Sequence, residues 1–319
     1  RCLKAADVVM NDKLNVIVGN NECGKSTLLE AVHLALSGQL NGRPLVVEMH
    51  PYLFNLDLVR EYIDSLAAGD KPQPPRILLE VYLADDPNLT KLKGDHNSLK
   101  IDRPGVSLSI ELNPSHAEDF IQYVSDPAEI RTVPIEYYRI VWRNFAGNDI
   151  AHSRDIPLHA SLIDASTLKN NAAASRYVVD IVKESLSAQE KVDLALTYRL
   201  MKDRFLEQPK VKTINDALAL KKGKISEKVI SVSLDTSARA SWEAGIMPHL
   251  DDIPLTLVGK GEQNAVKIKL AMETSAKSHI ILIEEAENHL SYASLNELIG
   301  HISANAGTRQ IFITTHRSF

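Results

Sequence analysis

Cysteine is almost missing: the chain has two, Cys2 and Cys23, among 319 residues. They leave no Cys-x-x-Cys pair and no disulfide framework, which excludes a disulfide-stapled fold and a paired-cysteine zinc site and implies a reducing compartment. Long apolar runs are missing too. With no stretch of 18 apolar residues and no apolar core of a secretory signal, the sequence predicts a soluble, cytoplasmic protein without a membrane partner. Basic charge is not in excess, since 36 Lys and Arg face 41 Asp and Glu for a net charge of −5. That excludes a surface coated for nucleic acid but leaves room for a local basic patch. There is no internal repeat or low-complexity tract, and 44% hydrophobic residues exclude a disordered chain.

What is present is a chain long enough for about two domains. It opens at Arg1 and stops at Phe319 just after a strand-like run, Gln310 to Thr314, so the expectation is a piece of a longer protein. Leu14 to Val18 is short, apolar and β-branched. Gly19 and an amphipathic run from Lys25 to Ser37, closed by Gly38, follow it, giving strand, glycine loop and helix. Alternation over Ile77 to Leu83 and Val106 to Leu112 predicts antiparallel strands, with Asp85 to Gly94 as a loop between them. From Ala172 to about Leu220 the period is helical. Val178, Ile181, Val182 and Leu186 form one face; after a cap at Ser187 it continues with Val192, Leu196, Leu200, Met201 and Phe205 until Pro209 ends the helix. This segment is either a helical subdomain packed on the core or a projecting arm that contacts a partner. Val229 to Leu234 returns to strand.

Chemistry concentrates in four places. Gly19-Asn20-Asn21-Glu22-Cys23-Gly24-Lys25-Ser26, followed by Thr27, satisfies the phosphate-loop pattern between a strand and a helix. Its glycines let backbone N–H groups wrap a phosphate at a helix N-terminus, Lys25 reaches the β- and γ-phosphates, and the Ser26 hydroxyl ligates magnesium. Cys23 reads as a small side chain that fits the loop, with a redox-sensing thiol as the alternative. Near the other end, Ile280-Ile281-Leu282-Ile283 is a buried strand that delivers Glu284 and Glu285 at its carboxyl edge. There Glu284 can hold magnesium through water, and Glu285 can orient or deprotonate an attacking water. Val258-Gly259-Lys260-Gly261-Glu262-Gln263 opens an amphipathic helix carrying Val266, Ile268, Leu270, Ala271 and Met272, a further anion site. Ile311 to Thr315 is a buried strand ending at His316, one helix crossover (Ser291 to Ser303) beyond the acidic strand, which places the histidine beside a γ-phosphate.

These four elements, in this order, resemble the ATPase core of the ABC/SMC/RecF class. The wording GNNECGKSTLLEA, VGKGEQ, ILIEEAENHLS and FITTHRSF is similar to the OLD (overcoming lysogenization defect) family of ATP-dependent endonucleases. The resemblance implies an α/β fold with an ABC/SMC-type P-loop NTPase core, an antiparallel β lobe and a helical insertion. It implies ATP and Mg2+ as cofactors, Glu284 as the magnesium carboxylate, Glu285 as the catalytic base and His316 as the switch histidine. It also implies a homodimer or higher homo-oligomer in which Lys260, Gly261 and Glu262 of one subunit cap the nucleotide held by the other. Two departures stand out. Lys260 occupies the usual signature serine position, where an ammonium would act in trans much as an arginine finger does. Ala286 stands where related sequences carry proline. Gln73 and Gln122 are the candidates for a nucleotide-sensing glutamine.

The expected domains are an ATPase N-terminal part over 1–171, a helical insertion over 172–228 and an ATPase C-terminal part over 229–319. The TOPRIM nuclease of the OLD family needs a glutamate and an Asp-x-Asp pair, and this chain has no Asp-x-Asp. The nuclease is then in a missing C-terminal part or on a separate partner, as in phage-defence systems such as PARIS. The competing reading is a RecF/SMC-like clamp or sensor without a nuclease. DNA is expected to bind through the full-length protein; Lys221, Lys222, Lys224 and Lys228, and Lys267 with Lys269, are the candidate phosphate contacts.

Overall fold

The computed structural model describes residues 2–126, 130–164, 178–179, 181–183, 185–237, 240–274 and 278–316. Contacts divide the chain into two compact units: Arg1–Ser166 with Ser275–Phe319, and Thr167–Thr274. The boundary expected at 171/172 and the start of the helical run at Ala172 lie outside the described residues. The third expected segment, from residue 229, is divided: residues up to Thr274 cluster with the second unit.

In the first unit β1 (Leu14–Val18) leads into the phosphate loop and α1 (Lys25–Ser37). Three more strands complete a four-stranded sheet: β5 (Ala160–Asp164), β6 (Ile280–Glu284) and β7 (Gln310–Thr315), in the order β1-β7-β6-β5. All three pairings are parallel, with Val18 opposite Thr315, Ile283 opposite Ile313 and Glu284 opposite Asp164. The continuous apolar run of β6 follows from its position, because a strand between two neighbours and covered on both faces has no need to alternate. β1 lies at the sheet edge and does alternate: Leu14, Val16 and Val18 are exposed while Asn15 is buried. The Asn15 side chain makes that burial tolerable by accepting from the Asn11 N–H at 2.6 Å and donating to the Asn11 carbonyl at 2.9 Å. The crossover from β6 to β7 runs through α6 (Tyr292–Asn305), capped by Ser291 and buried along Leu295, Leu298 and Ile302.

The antiparallel lobe consists of β2 (Ile77–Tyr82), β3 (Arg103–Leu112) and β4 (Tyr138–Asn144), with β3 central. The loop expected over Asp85 to Gly94 holds more structure than its polar composition suggests. Pro87–Leu92 forms a short 3-10 turn that buries Leu89 and Leu92, and Lys93–Gly94 pairs with β3. Leu89 and Leu92 join Val106, Leu29, Ala35, Leu36, Leu282 and Phe312 in one core beneath α1. A second core gathers Leu108, Ile110, Phe54, Phe120 and Tyr138, together with Val59 and Tyr62 of α2 (Leu56–Ala67).

The lobe is fastened to the end of α1. Gly38 takes the left-handed conformation that terminates the helix (φ 67°) and donates to the Leu34 carbonyl at 2.8 Å. Trp142 of β4 donates its indole N–H to the Ala35 carbonyl at 2.9 Å, and its ring would come within 2.8 Å of a β-carbon at position 38. This layout is an α/β core: a parallel sheet whose first strand leads into the phosphate loop, with an antiparallel lobe packed on the first helix.

The second unit contains α3 (Ala188–Leu206), α4 (Pro209–Ala219) and α5 (Lys260–Thr274). Ser187 caps α3 as expected, in a reciprocal box with Glu190. Pro209 does more than end α3: it is the first residue of α4, where its missing N–H costs nothing. Three sequence expectations fail here. Val192, Leu196, Leu200, Met201 and Phe205 are exposed and do not continue a buried face, and Leu194 beside them is exposed as well, so the apolar residues of α3 do not form one core-facing stripe. Val229 to Leu234 forms no strand; the Asn215 side chain takes both backbone groups of Val232, at 2.8 and 3.2 Å, in place of a strand neighbour. Lys267 is not a solvated phosphate contact, because it is buried with Gln263, Asn264 and Ile268 on the packed side of α5. Lys221, Lys222, Lys224 and Lys228 are exposed, as a basic patch requires. Among the described residues no helix is long and apolar enough to cross a membrane.

Candidate functional site

Strand order decides where the chemistry collects. β7 comes last in the sequence yet lies between β1 and β6, so three parallel strands end side by side. Their carboxyl ends carry the phosphate loop, Thr315 with His316, and Glu284 with Glu285. Ligands of open α/β sheets bind at this edge. The Gly19 N–H bonds the Thr315 carbonyl at 3.3 Å, extending the β1–β7 ladder into the loop itself.

Within the loop, Lys25 is 7% exposed and its ammonium donates to the carbonyls of Gly19 and Asn20 at 2.7 and 2.8 Å. The cation is therefore held across the loop it belongs to. Gly24 precedes α1 in a left-handed conformation (φ 102°), and no side chain caps the helix, so its first N–H groups remain for an anion. Leu3 and Cys2 pack over Gly24, and the Cys2 thiol lies 3.8 Å from the Thr27 hydroxyl. The sequence offered no sign of that N-terminal cover. Asn20, Asn21, Glu22 and Cys23 are exposed, Glu22 with a positive φ of 65°. Cys2 and Cys23 are both free thiols. On α1, burial pushes His33 below the ordinary histidine range, partly opposed by the Gln39 backbone, so Lys25 is the dominant positive charge of the helix.

At the end of β6, Glu284 still belongs to the strand and Glu285 turns away from it with a φ of 48°, a conformation rare for a residue with a side chain. Two contacts hold it there. The Glu285 N–H donates to Thr314 Oγ1 at 3.0 Å, and Asn288 Nδ2 donates to Glu285 Oε2 at 2.7 Å. Ala286, at the usual proline position, is buried.

Glu287, the carboxylate two residues further on, carries no functional signal in the sequence. It is 1% exposed, and its Oε1 accepts from the Thr315 hydroxyl at 2.6 Å and from the His316 N–H at 2.8 Å. The His316 ring nitrogen Nδ1 lies 3.0 Å from the same oxygen. In the sequence Glu287 is the third glutamate in Glu284-Glu285-Ala286-Glu287, and a Glu after two acidic residues looks like a solvated turn. Thr314, Thr315 and Asn288 were equally silent.

Among the described residues no cluster of three or more His, Cys, Asp or Glu side chains could hold a metal alone. Magnesium is commonly bound by one or two protein oxygens, with phosphates and waters completing the octahedron. The Ser26 hydroxyl, half-buried at the start of α1, and the Glu284 carboxylate at the end of β6 fit that pattern.

A family model described as an AAA domain matches residues 1–57. The matched stretch contains β1, the phosphate loop and α1. No curated protein matches the sequence. Among solved structures, the chain is similar to the SMC head domain from Thermotoga maritima at 13% identity and a TM-score of 0.40, over 97% of this chain and 82% of that one. It is similar to an SmcHead bound to the C-winged helix domain of ScpA at 14% identity and a TM-score of 0.43, over 97% and 84%. A third is the Smc head domain with an extended coiled coil bound to the C-terminal domain of ScpA derived from Pyrococcus furiosus, at 13% identity and a TM-score of 0.39, over 96% and 84%.

The remaining sequence candidates lie apart from this edge in the chain. Lys260 and Glu262 are exposed in the first turn of α5, in the second unit, with Gly261 between them. Gln73 is exposed ahead of β2, and Gln122 is exposed in the short helix Ala117–Tyr123.

Proposed function

We propose that the chain is the ATP-binding and ATP-hydrolysing module of an OLD-family nuclease, gating DNA cleavage by a TOPRIM domain carried elsewhere, in defence against phage. The observation that supports it best is the meeting of the phosphate loop, Glu285 and His316 at one sheet edge through the insertion of β7 between β1 and β6. In this reading the loop N–H groups and the Lys25 ammonium bind the β- and γ-phosphates. Magnesium, held by Ser26 and through water by Glu284, supplies neutralisation of phosphate charge. Glu285 accepts a proton from the attacking water, with Asn288 fixing the carboxylate's direction and Thr314 holding the main chain beneath it. His316 faces the γ-phosphate. Lys260, Gly261 and Glu262 close the site of a partner subunit in a head-to-tail homodimer. The domain plan of 1–171, 172–228 and 229–319 belongs to the same proposal.

ATP hydrolysis by the purified chain and by Lys25→Ala tests the first half. Turnover in the parent and none in the variant is expected; equal phosphate release from both removes Lys25 from the chemistry. For the second half, the reading frame beyond Phe319 should encode a glutamate and an Asp-x-Asp pair in β/α context, and the longer protein should cut DNA only with hydrolysable ATP. A stop codon, or a returning coiled coil in that place, favours the RecF/SMC-like clamp.

A further inference from the structure

Glu287 is more buried than Lys25 or either carboxylate that the proposed reaction uses, and the reaction leaves it without a role. An ionised carboxylate at 1% exposure is costly unless donors satisfy it. Here three converge on one oxygen, Oε1: the Thr315 hydroxyl at 2.6 Å, the His316 N–H at 2.8 Å and His316 Nδ1 at 3.0 Å. The carboxylate can only accept, so Nδ1 must carry the hydrogen. That assignment leaves Nε2 as the ring nitrogen available at a side chain still 41% exposed. The same oxygen takes both the main-chain N–H and the ring of His316, so ring and main chain are held together.

We propose that Glu287 is a positioning residue for His316: it fixes the Nδ1–H tautomer, turns Nε2 outward, and balances the imidazolium charge when that nitrogen donates to a phosphate oxygen. The logic is that of a carboxylate orienting a histidine through the ring nitrogen that does not react. The inference rests on the reading of His316 as the γ-phosphate contact. It adds a physical link between the turn after Glu285 and the end of β7, because Glu287 lies on the first and its three donors on the second.

The test compares the parent chain with Glu287→Gln, Glu287→Leu, His316→Ala and the Glu287→Gln/His316→Ala double variant. ATP affinity is read with a fluorescent nucleotide analogue, kcat and KM by phosphate release, and the His316 tautomer by 15N NMR of histidine-labelled protein, assigned by the signal missing in His316→Ala. Glu287→Gln should keep ATP affinity within about twofold and lower kcat by about 10- to 100-fold, the range for groups that orient a functional histidine. The double variant should turn over no more slowly than His316→Ala alone, because Glu287 acts through the ring. The parent should show the Nδ1–H form, and Glu287→Leu should lose it; if the leucine variant does not fold, Glu287→Gln and the double variant still decide. Unchanged kcat in Glu287→Gln, a further loss in the double variant, or an Nε2–H ring in the parent overturns the proposal. A parent that binds no ATP and hydrolyses none defeats the ATPase reading instead, and the NMR result then judges the Glu287–His316 couple alone.

Discussion

Replacing Gly38 by alanine should loosen the join between the antiparallel lobe and α1, and the size of the effect separates into two parts. Gly38 has a φ of 67°, where an alanine costs about 1–2 kcal/mol. Restricting the unfolded chain returns about 0.4–1 kcal/mol, so the net backbone cost is near 1 kcal/mol. The new methyl group would also stand 2.8 and 3.0 Å from Cζ3 and Cη2 of Trp142. The indole has little freedom to retreat, since its N–H is engaged with the Ala35 carbonyl at 2.9 Å. Overpacking of this kind adds about 1–3 kcal/mol, giving a total near 2–4 kcal/mol. Gly42 is the control: its φ is 73° and no atom lies within 4 Å of the position a β-carbon would take, so Gly42→Ala should show the backbone part alone. Urea unfolding followed by circular dichroism measures both, and Gly38→Ala should move the midpoint clearly further. In a Trp142→Phe background the extra loss should shrink, because the clashing atoms are gone. Equal midpoints for the two alanine variants, or a Gly38→Ala loss undiminished by Trp142→Phe, would show that the indole does not lock the lobe to the helix.

Glu285→Gln should bind ATP, stop turning it over and accumulate as a nucleotide-bound dimer on gel filtration; hydrolysis at the parent rate would remove Glu285 as the base. Lys260→Ala should lower hydrolysis in trans: in mixed dimers with Lys25→Ala subunits, the defect should follow the site that faces the mutated helix. If it follows the subunit's own phosphate loop, the signature assignment falls. In the second unit the Ser241 hydroxyl, with Lys183 at 2.9 Å, holds Glu243 well below its ordinary 4.5, at about 2. A depressed carboxylate adds stability above its unfolded pKa and loses it as pH falls through the folded one. The stability difference between the parent and Glu243→Gln should therefore be full above pH 4.5 and fade between 4.5 and about 2. A difference that stays constant across that window would contradict the cause assigned.

The first unit was largely legible because its signals are local. Gly19 to Ser26 announces itself by spacing, and Ile280 to Ile283 by being apolar without alternation, so both strands and the carboxylates after them could be placed from sequence. What was hidden depends on partners far away in the chain. Glu287 looks like a surface glutamate until β7 brings Thr315 and His316 against it, and Leu3 has no visible reason to cover Gly24. In the second unit the failure is of another kind. The apolar residues of α3 do recur at helical spacing, but periodicity states only that a face exists, and Val192, Leu196 and Leu200 are exposed. Lys267 errs in the opposite direction, a charge on a helix that packing takes inside.

The insertion of β7 between β1 and β6 also sets an order of events during synthesis. Leu14 to Val18 leaves the ribosome long before its hydrogen-bonding neighbour, Ile311 to Thr315. Until then the strand that introduces the phosphate loop has no edge to join, and β6 has β5 on one side only. Contacts this distant in sequence form slowly, and unpaired edges invite association with other chains. A nascent chain that pauses anywhere before residue 310 would therefore display a phosphate loop without the strand that flanks it, and the sheet edge carrying Glu285 and His316 would be completed in a single step.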